Sequence, residues 1–166
     1  MVMQSVSLFD FIIAEKREDR IELSTNLKYL PVNEKNIAYK AAMMFFEYTG
    51  IKGGIKLTVR KNIPVAAGLA GGSGDCAAVL CLMNKLYNAG LSTEELCALG
   101  AKCGADVPYC IFAETMLASG IGDVLSPLPH MPQCTILLVK PNINVSTAAV
   151  YESIDNAPHT KRPDTR

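Results

Sequence analysis

An α+β domain is the architecture written into this sequence. Stretches with the two-residue apolar period of strands are interleaved with stretches of helical 3.6-residue period, without a strict βαβα alternation. Cap and turn residues separate them at short intervals. Of the 166 residues, 49% are hydrophobic and 19% charged, which supplies ample apolar material for a packed core.

Residues 4–13 are rich in Val, Leu, Phe and Ile and predict a strand, with a shift of apolar phase near Leu8 and Phe9 that suggests a bulge. The charged stretch 15–20 reads as a turn, and Ile21 and Leu23 alternate in a short following strand, so the two strands suggest a hairpin. Asn36 precedes a helical pattern in which Ile37, Ala41, Met44, Phe45 and Tyr48 share one face, and Gly50 ends it. In residues 53–60, Ile55, Leu57 and Val59 alternate with Lys56, Thr58 and Arg60 until Pro64 stops the strand. A helix is expected from about Asp75 to Asn88, with Val79, Leu82, Met83 and Leu86 buried. Ser92 and Glu95 form a capping box for a helix facing inward through Leu96, Leu99 and Cys103. Two short strands are expected in 115–125, an apolar strand at 135–140, and a helix at 146–154 capped by Ser146 or Thr147, with Val150, Tyr151 and Ile154 inward.

The most informative segment is PVAAGLAGGSGDCAA, residues 64–78. A strand ending at Pro64 feeds four glycines (Gly68, Gly71, Gly72 and Gly74) and then a helix. Glycine permits positive φ and close backbone approach, and a helix start presents unpaired N–H groups at the positive end of the macrodipole. Together they make a cradle for phosphate, with the Ser73 hydroxyl added at its mouth. The segment is neither a P-loop, because no lysine lies between Lys61 and Lys85, nor the dinucleotide fingerprint, because Ala77 stands where its third glycine belongs.

This segment resembles the signature of the GHMP kinases, Pro-x-x-x-Gly-Leu-x-(Gly-Gly)-Ser-Ser-x-Ala-Ala. Three further stretches agree with one branch of that family: residues 2–10, Gly104-Ala105-Asp106-Val107-Pro108-Tyr109, and 140–151 from Lys140-Pro141 to Tyr151. The resemblance implies an N-terminal nucleotide domain over 1–130, without its first strand, and the beginning of a second α+β domain over 131–166. It implies transfer of the γ-phosphoryl group of ATP, with Mg2+, to the 2-hydroxyl of a cytidine-diphosphate-linked methylerythritol, a step in isoprenoid precursor biosynthesis.

Asp106 would then be the general base, or the group that orients the substrate hydroxyl. Pro64, Ala66, Ala67, Gly68, Leu69, Ala70, Gly71, Gly72, Ser73 and Gly74 would bind ATP. Asn36 matches a position near the adenine, although an N-cap Asn needs no ligand. Thr147 and Tyr151 match positions lining the substrate pocket, although a Tyr on a helix face also suits a core. No residue is assigned to a metal, and His130, His159 and Asp123 gain no role. Gly74 stands where the family carries a second serine, and Cys76 where it carries a small alanine. The resemblance begins after a family strand that brings a catalytic lysine and stops within the second domain, so little or no turnover is expected from these 166 residues alone.

Sixteen basic and sixteen acidic residues cancel, with no long run of one sign, which excludes a basic nucleic-acid or membrane surface. The six cysteines lack C-x-x-C spacing and read as reduced core thiols. No leader or membrane-spanning run is evident, so a soluble cytoplasmic protein is expected, monomeric or homodimeric, with a small-molecule substrate. Two alternatives remain at this stage: another GHMP small-molecule kinase, and a non-catalytic nucleotide- or RNA-binding module on the same scaffold.

Overall fold

In the computed structural model, which describes residues 1–120, 122, 124–141 and 146–157, six strands and five helices follow in order. They are β1 (Val2–Met3), β2 (Phe11–Arg17), β3 (Ile21–Thr25), α1 (Ile37–Thr49), β4 (Gly54–Arg60), α2 (Gly71–Tyr87), α3 (Thr93–Ala101), α4 (Val107–Phe112), β5 (Met116–Ser119), β6 (Val124–Pro127) and α5 (Thr147–Asp155).

The best strand pattern in the chain becomes the centre of the larger sheet. Its order is β2-β4-β3, with β4 antiparallel to β2 and parallel to β3. Ile55, Leu57 and Val59 of β4 are buried, as the alternation required. The expected hairpin between β2 and β3 does not form. β2 runs on to Arg17, the turn shrinks to residues 18–20, and β4 inserts between the two strands. The most deeply buried strand takes the centre, and the two strands bearing Glu15, Lys16, Arg17 and Glu22 take the edges, where charged side chains reach water.

Residues 4–13 are not one strand either. Val2–Met3 pairs with β5 in a second sheet of order β1-β5-β6, and Phe11–Arg17 pairs with β4. The change of apolar phase at Leu8 and Phe9 marks the passage from one sheet to the other.

Helix α1 is bounded as its caps dictate. Asn36 Oδ1 accepts from Ala38 N–H at 3.0 Å, and Gly50 adopts φ 67°. Ala38, Ala41, Ala42 and Phe45 face the core, while Tyr48 lies outside it, half exposed. Helix α2 begins at Gly71, four residues before the expected start, and buries Cys76, Ala77, Val79, Leu80 and Met83; Leu82 and Leu86 are only half-buried. The capping box of Ser92 and Glu95 starts α3. α1, α2 and β4 share one apolar cluster with Leu96, Leu99 and Val107. Each fully buried large side chain there contributes about 1.5–3 kcal/mol.

In the later part of the chain one helix arises that the sequence reading did not contain, and two expectations fail. Residues 107–112 form a helix, whose first turn Pro108 suits. Residues 135–140 form no strand; Leu137 and Val139 are exposed, and a strand without a pairing partner has no stability of its own. On α5, capped by Ser146, the side chains Val150, Tyr151 and Ile154 face outward. All six cysteines are unpaired, and Cys134 is exposed rather than in the core. Asp123 and His159 lie outside the described residues, and His130 is exposed.

Candidate functional site

The loop between β4 and α2 owes its shape to alternating backbone conformations. Ala66, Gly68 and Ala70 have φ of 54°, 68° and 50°, and Ala67 and Leu69 between them do not share that left-handed region. Such alternation turns successive N–H groups toward one side, as in anion-binding nests. Glycine was expected to supply the positive φ, yet two of the three such positions are alanines. A non-glycine residue held there carries about 1–3 kcal/mol of strain, which the surrounding packing must offset.

Gly71 serves by having no side chain, whereas a Cβ on Gly72 would meet only Ile37 at an ordinary 3.5 Å. A Cβ on Gly71 would lie 3.0 Å from Ile63 Cγ2 and 3.3 Å from Lys61 Nζ. That close contact lets the first turn of α2 settle directly on the end of β4, with its free N–H groups at the loop.

Beneath the loop lies a charged cluster. Lys61 Nζ donates to Asp10 Oδ2 and, at 2.7 Å, to Asp75 Oδ2. All three side chains are nearly sealed from water, at 5% exposure for Lys61, 6% for Asp10 and 8% for Asp75. Asp10 Oδ1 also accepts from the N–H groups of Asn62 at 2.6 Å and Ile63 at 2.8 Å, so it fixes the turn that leads into the loop. Asn26 holds the same turn from the other side, accepting from Lys61 N–H at 2.8 Å and donating to its carbonyl at 3.1 Å. Asp75 Oδ1 has no partner. Burial pushes the Asp75 carboxyl up to about 6, against the pull of Lys61 and with a smaller push from Asp10.

Asp106 sits at the N-cap of α4 and makes no capping hydrogen bond with its side chain, which is exposed. Its backbone is held from behind. Val107 is fully buried, and a Cβ on Gly100 of α3 would stand 2.6 Å from Val107 Cγ1. The Tyr109 hydroxyl meets Ser5 Oγ at 3.1 Å. A free carboxylate on a tightly packed turn is well suited to accept a proton from a positioned hydroxyl.

A cavity of about 430 Å³ joins these parts. Its wall contains Asn36, Lys61, Asp75, Asp106, Pro64 and every loop residue from Ala66 to Gly72. Ser73 and Gly74 are not in that wall. Ser73 Oγ lies 4.0 Å from where a Cβ on Gly104 would be, and Gly74 lines a second cavity of about 390 Å³ on the side of Leu8 and Phe9. Asn36 spends its amide on the chain itself, donating to the Pro31 carbonyl at 2.8 Å besides capping α1. Tyr151 is exposed on α5 and is not part of the wall; Thr147 opens that helix, and its side chain lies outside the described residues.

The cluster of Asp10, Lys61 and Asp75 escaped the sequence reading, as did Lys35 on the cavity wall. The one available signal was Lys61 itself, a charged residue standing just before Pro64 at the end of an alternating strand.

With this geometry in view, the relationships of the chain are clear. A family model described as the GHMP kinases N terminal domain matches residues 36–114, which include the loop and Asp106. Over these residues the chain is similar to the GHMP kinases. The 4-diphosphocytidyl-2-C-methyl-D-erythritol kinase of Lachnospira eligens is 49% identical over 165 residues, covering 99% of this chain and 57% of that protein. The protein of the same name from Clostridium perfringens is 49% identical over 156 residues, covering 93% and 54%. The chain thus spans about half the length of the curated relatives it matches. Among solved structures, a 4-(cytidine 5'-diphospho)-2C-methyl-D-erythritol kinase superposes with TM-score 0.71 at 32% identity, over 87% of this chain and 51% of that one. A homoserine kinase from Cytophaga hutchinsonii, at 20% identity and TM-score 0.68 over 86% of this chain and 50% of that one, shows the same fold. Among the described residues, no helix is long and apolar enough to cross a membrane.

Proposed function

We propose that this chain is the nucleotide-binding part of a kinase that transfers the γ-phosphoryl group of ATP to the 2-hydroxyl of 4-diphosphocytidyl-2-C-methyl-D-erythritol, in isoprenoid precursor biosynthesis. The observation that carries the reading is that the loop and Asp106 face one cavity. The substrate comes from the two relatives at 49% identity that bear that name.

In this reading the N–H groups of residues 66–72 hold phosphate oxygens, and the Asp106 carboxylate orients the attacking hydroxyl and takes its proton. Phosphoryl transfer asks for little else from the protein, since positioning and charge stabilisation dominate it. The nest geometry and the side-chain-free surface of Gly71 and Gly72 fit a phosphate chain. Among the described residues no group of three or more His, Cys, Asp or Glu is placed to hold a metal ion. Mg2+ is therefore assigned to the phosphates of the nucleotide, and no step is routed through it.

Asn36 borders the adenine end of the cavity, and Ser73 acts through the backbone of the first helical turn, whereas the Gly74 N–H is already spent on the Ala70 carbonyl at 2.8 Å. Thr147 and Tyr151 belong to the substrate pocket. Residues 1–130 form the nucleotide domain and 131–166 the start of a second one, which would cover the apolar side chains Leu137 and Val139. The protein is placed in the cytoplasm, as a monomer or homodimer without nucleic-acid or membrane partners.

The test is Asp106→Asn within the complete reading frame, assayed by ADP release with the cytidine-linked substrate. Turnover is expected to fall by about 10²- to 10⁴-fold with ATP affinity retained. Turnover near that of the unaltered protein would remove Asp106 from the reaction.

A further inference from the structure

The cluster under the loop is unbalanced. Asp10, Lys61 and Asp75 bring two carboxylates and one ammonium into a region where each is more than nine-tenths buried. Asp10 is fully satisfied, by Lys61 and by two backbone N–H groups. Asp75 is not, since Oδ2 is held by Lys61 while Oδ1 meets nothing. Asp75 also borders the loop cavity, so in its ionised form it presents a negative charge to any polyphosphate seated there.

We propose that Lys61 and Asp75 are positioning residues for a bound polyphosphate, and that Asp75 Oδ1, the one oxygen of the cluster without a partner, takes up a proton from solvent as the polyphosphate binds. This rests on the loop being the nucleotide site. Lys61 ties the first turn of α2, through Asp75, to the turn at residues 61–63, through Asp10, and so sets the register of the N–H groups on both sides of the loop. The incoming anion raises the proton affinity of the nearest buried carboxylate, and protonation brings the cluster to neutrality without loss of the Lys61–Asp10 pair. No covalent bond of the ligand changes; a single O–H bond forms on Asp75.

The other charged and titratable groups around Asp75 sharpen this assignment. Lys61 and Asp10 face it from the end of β4 and the approach to β2. Cys110 faces it from α4, its thiol pushed up to about 11 by burial and by the neighbouring Asp106 and Asp75. Asp106 and Lys35 line the loop cavity, and Lys85 lines the cavity on the other side of α2. Of the three carboxylates among these groups, Asp10 is satisfied and Asp106 is exposed, which leaves Asp75 to take the proton.

The experiment is titration calorimetry of this chain with ADP, and separately with inorganic tripolyphosphate, at pH 7 in two buffers of different ionisation enthalpy. Protons exchanged by the ligand itself appear equally in Asp75→Asn, so the difference between the two proteins isolates Asp75. If binding raises the carboxyl by one unit, wild type takes up about 0.4 proton more than the variant. Between pH 7.5 and 5.5 its affinity rises about sixfold more. Equal proton counts in the two proteins overturn the proposal. Carbon-13 carboxyl NMR of the wild type, with and without ADP, gives the answer with no variant: the Asp75 midpoint must rise, and an unchanged midpoint overturns the proposal.

For Lys61, Lys61→Met is expected to weaken ADP at least tenfold at a temperature where it is folded, and Lys61→Arg to restore binding to within a few-fold. Equal weakening in both variants overturns the positioning role. If wild type binds neither probe at millimolar concentration, the nucleotide-loop reading falls and the proposal with it. Binding without an Asp75-dependent proton overturns the proposal alone.

Discussion

Replacing Asp75 with Asn keeps the shape of the side chain and removes one carboxylate from a cluster that has one too many. The carboxyl is 8% exposed, and burial lifts it from its ordinary 3.8 to about 6. Between those two values the folded protein binds more protons than the unfolded chain, so the contribution of Asp75 to stability is complete below about pH 4 and is lost as pH rises through 6. That rise corresponds to a loss of about 3 kcal/mol by pH 7.5. Asn cannot titrate, and Lys61 keeps Asp10 as its partner, so the variant escapes that loss. Urea denaturation of both proteins at half-unit steps from pH 4.5 to 7.5 gives the difference in stability at each pH, and ionisations elsewhere cancel in it. The difference should move by about 2 kcal/mol in favour of the variant across this range, most steeply between pH 4.5 and 5.5. A difference that stays flat with pH would mean that Asp75 is not a buried carboxylate with raised proton affinity.

Gly100→Ala should cost about 1–3 kcal/mol, because the new Cβ would stand 2.6 Å from Val107 Cγ1. The backbone amide of Asp106 should shift with it in an NMR spectrum, since Val107 is the buried anchor of that turn. Gly74→Ala has the opposite sign. Its Cβ meets nothing within 4 Å, and alanine in place of glycine inside a helix stabilises by about 0.5–1 kcal/mol, readable as a higher melting temperature. Leu57→Ala, in the fully buried centre of β4, should cost about 2–5 kcal/mol in the same urea experiment.

The parts of the fold set by local chemistry were legible before any coordinates. Asn36 and Gly50 bound α1, Ser92 and Glu95 start α3, and the alternation of Ile55, Leu57 and Val59 made β4 a buried strand. What escaped was set by distant partners. Nothing within residues 11–25 says that β4 will separate β2 from β3, because that choice depends on a strand that lies outside them in the sequence. Residues 135–140 have a strand composition, and composition cannot supply a neighbour to pair with.

The site divides in the same way. The loop and Asp106 were visible as motifs, and they do face one cavity. Lys61 became meaningful only when Asp10, 51 residues away, and Asp75, 14 residues away, closed around it. Glycine content overstated the role of positive φ, since Ala66 and Ala70 adopt it while Gly71, Gly72 and Gly74 lie within α2.

The central claim is that residues 64–74 hold a nucleotide polyphosphate beside Asp106. Titrating the nitrogen-15-labelled chain with a non-hydrolysable ATP analogue and Mg2+ tests it directly, through the amide shifts. The largest saturable changes should fall on Gly68, Leu69, Ala70, Gly71 and Gly72, with Asp106 following. No change in these amides at millimolar ligand, or changes centred elsewhere on the domain, would contradict it.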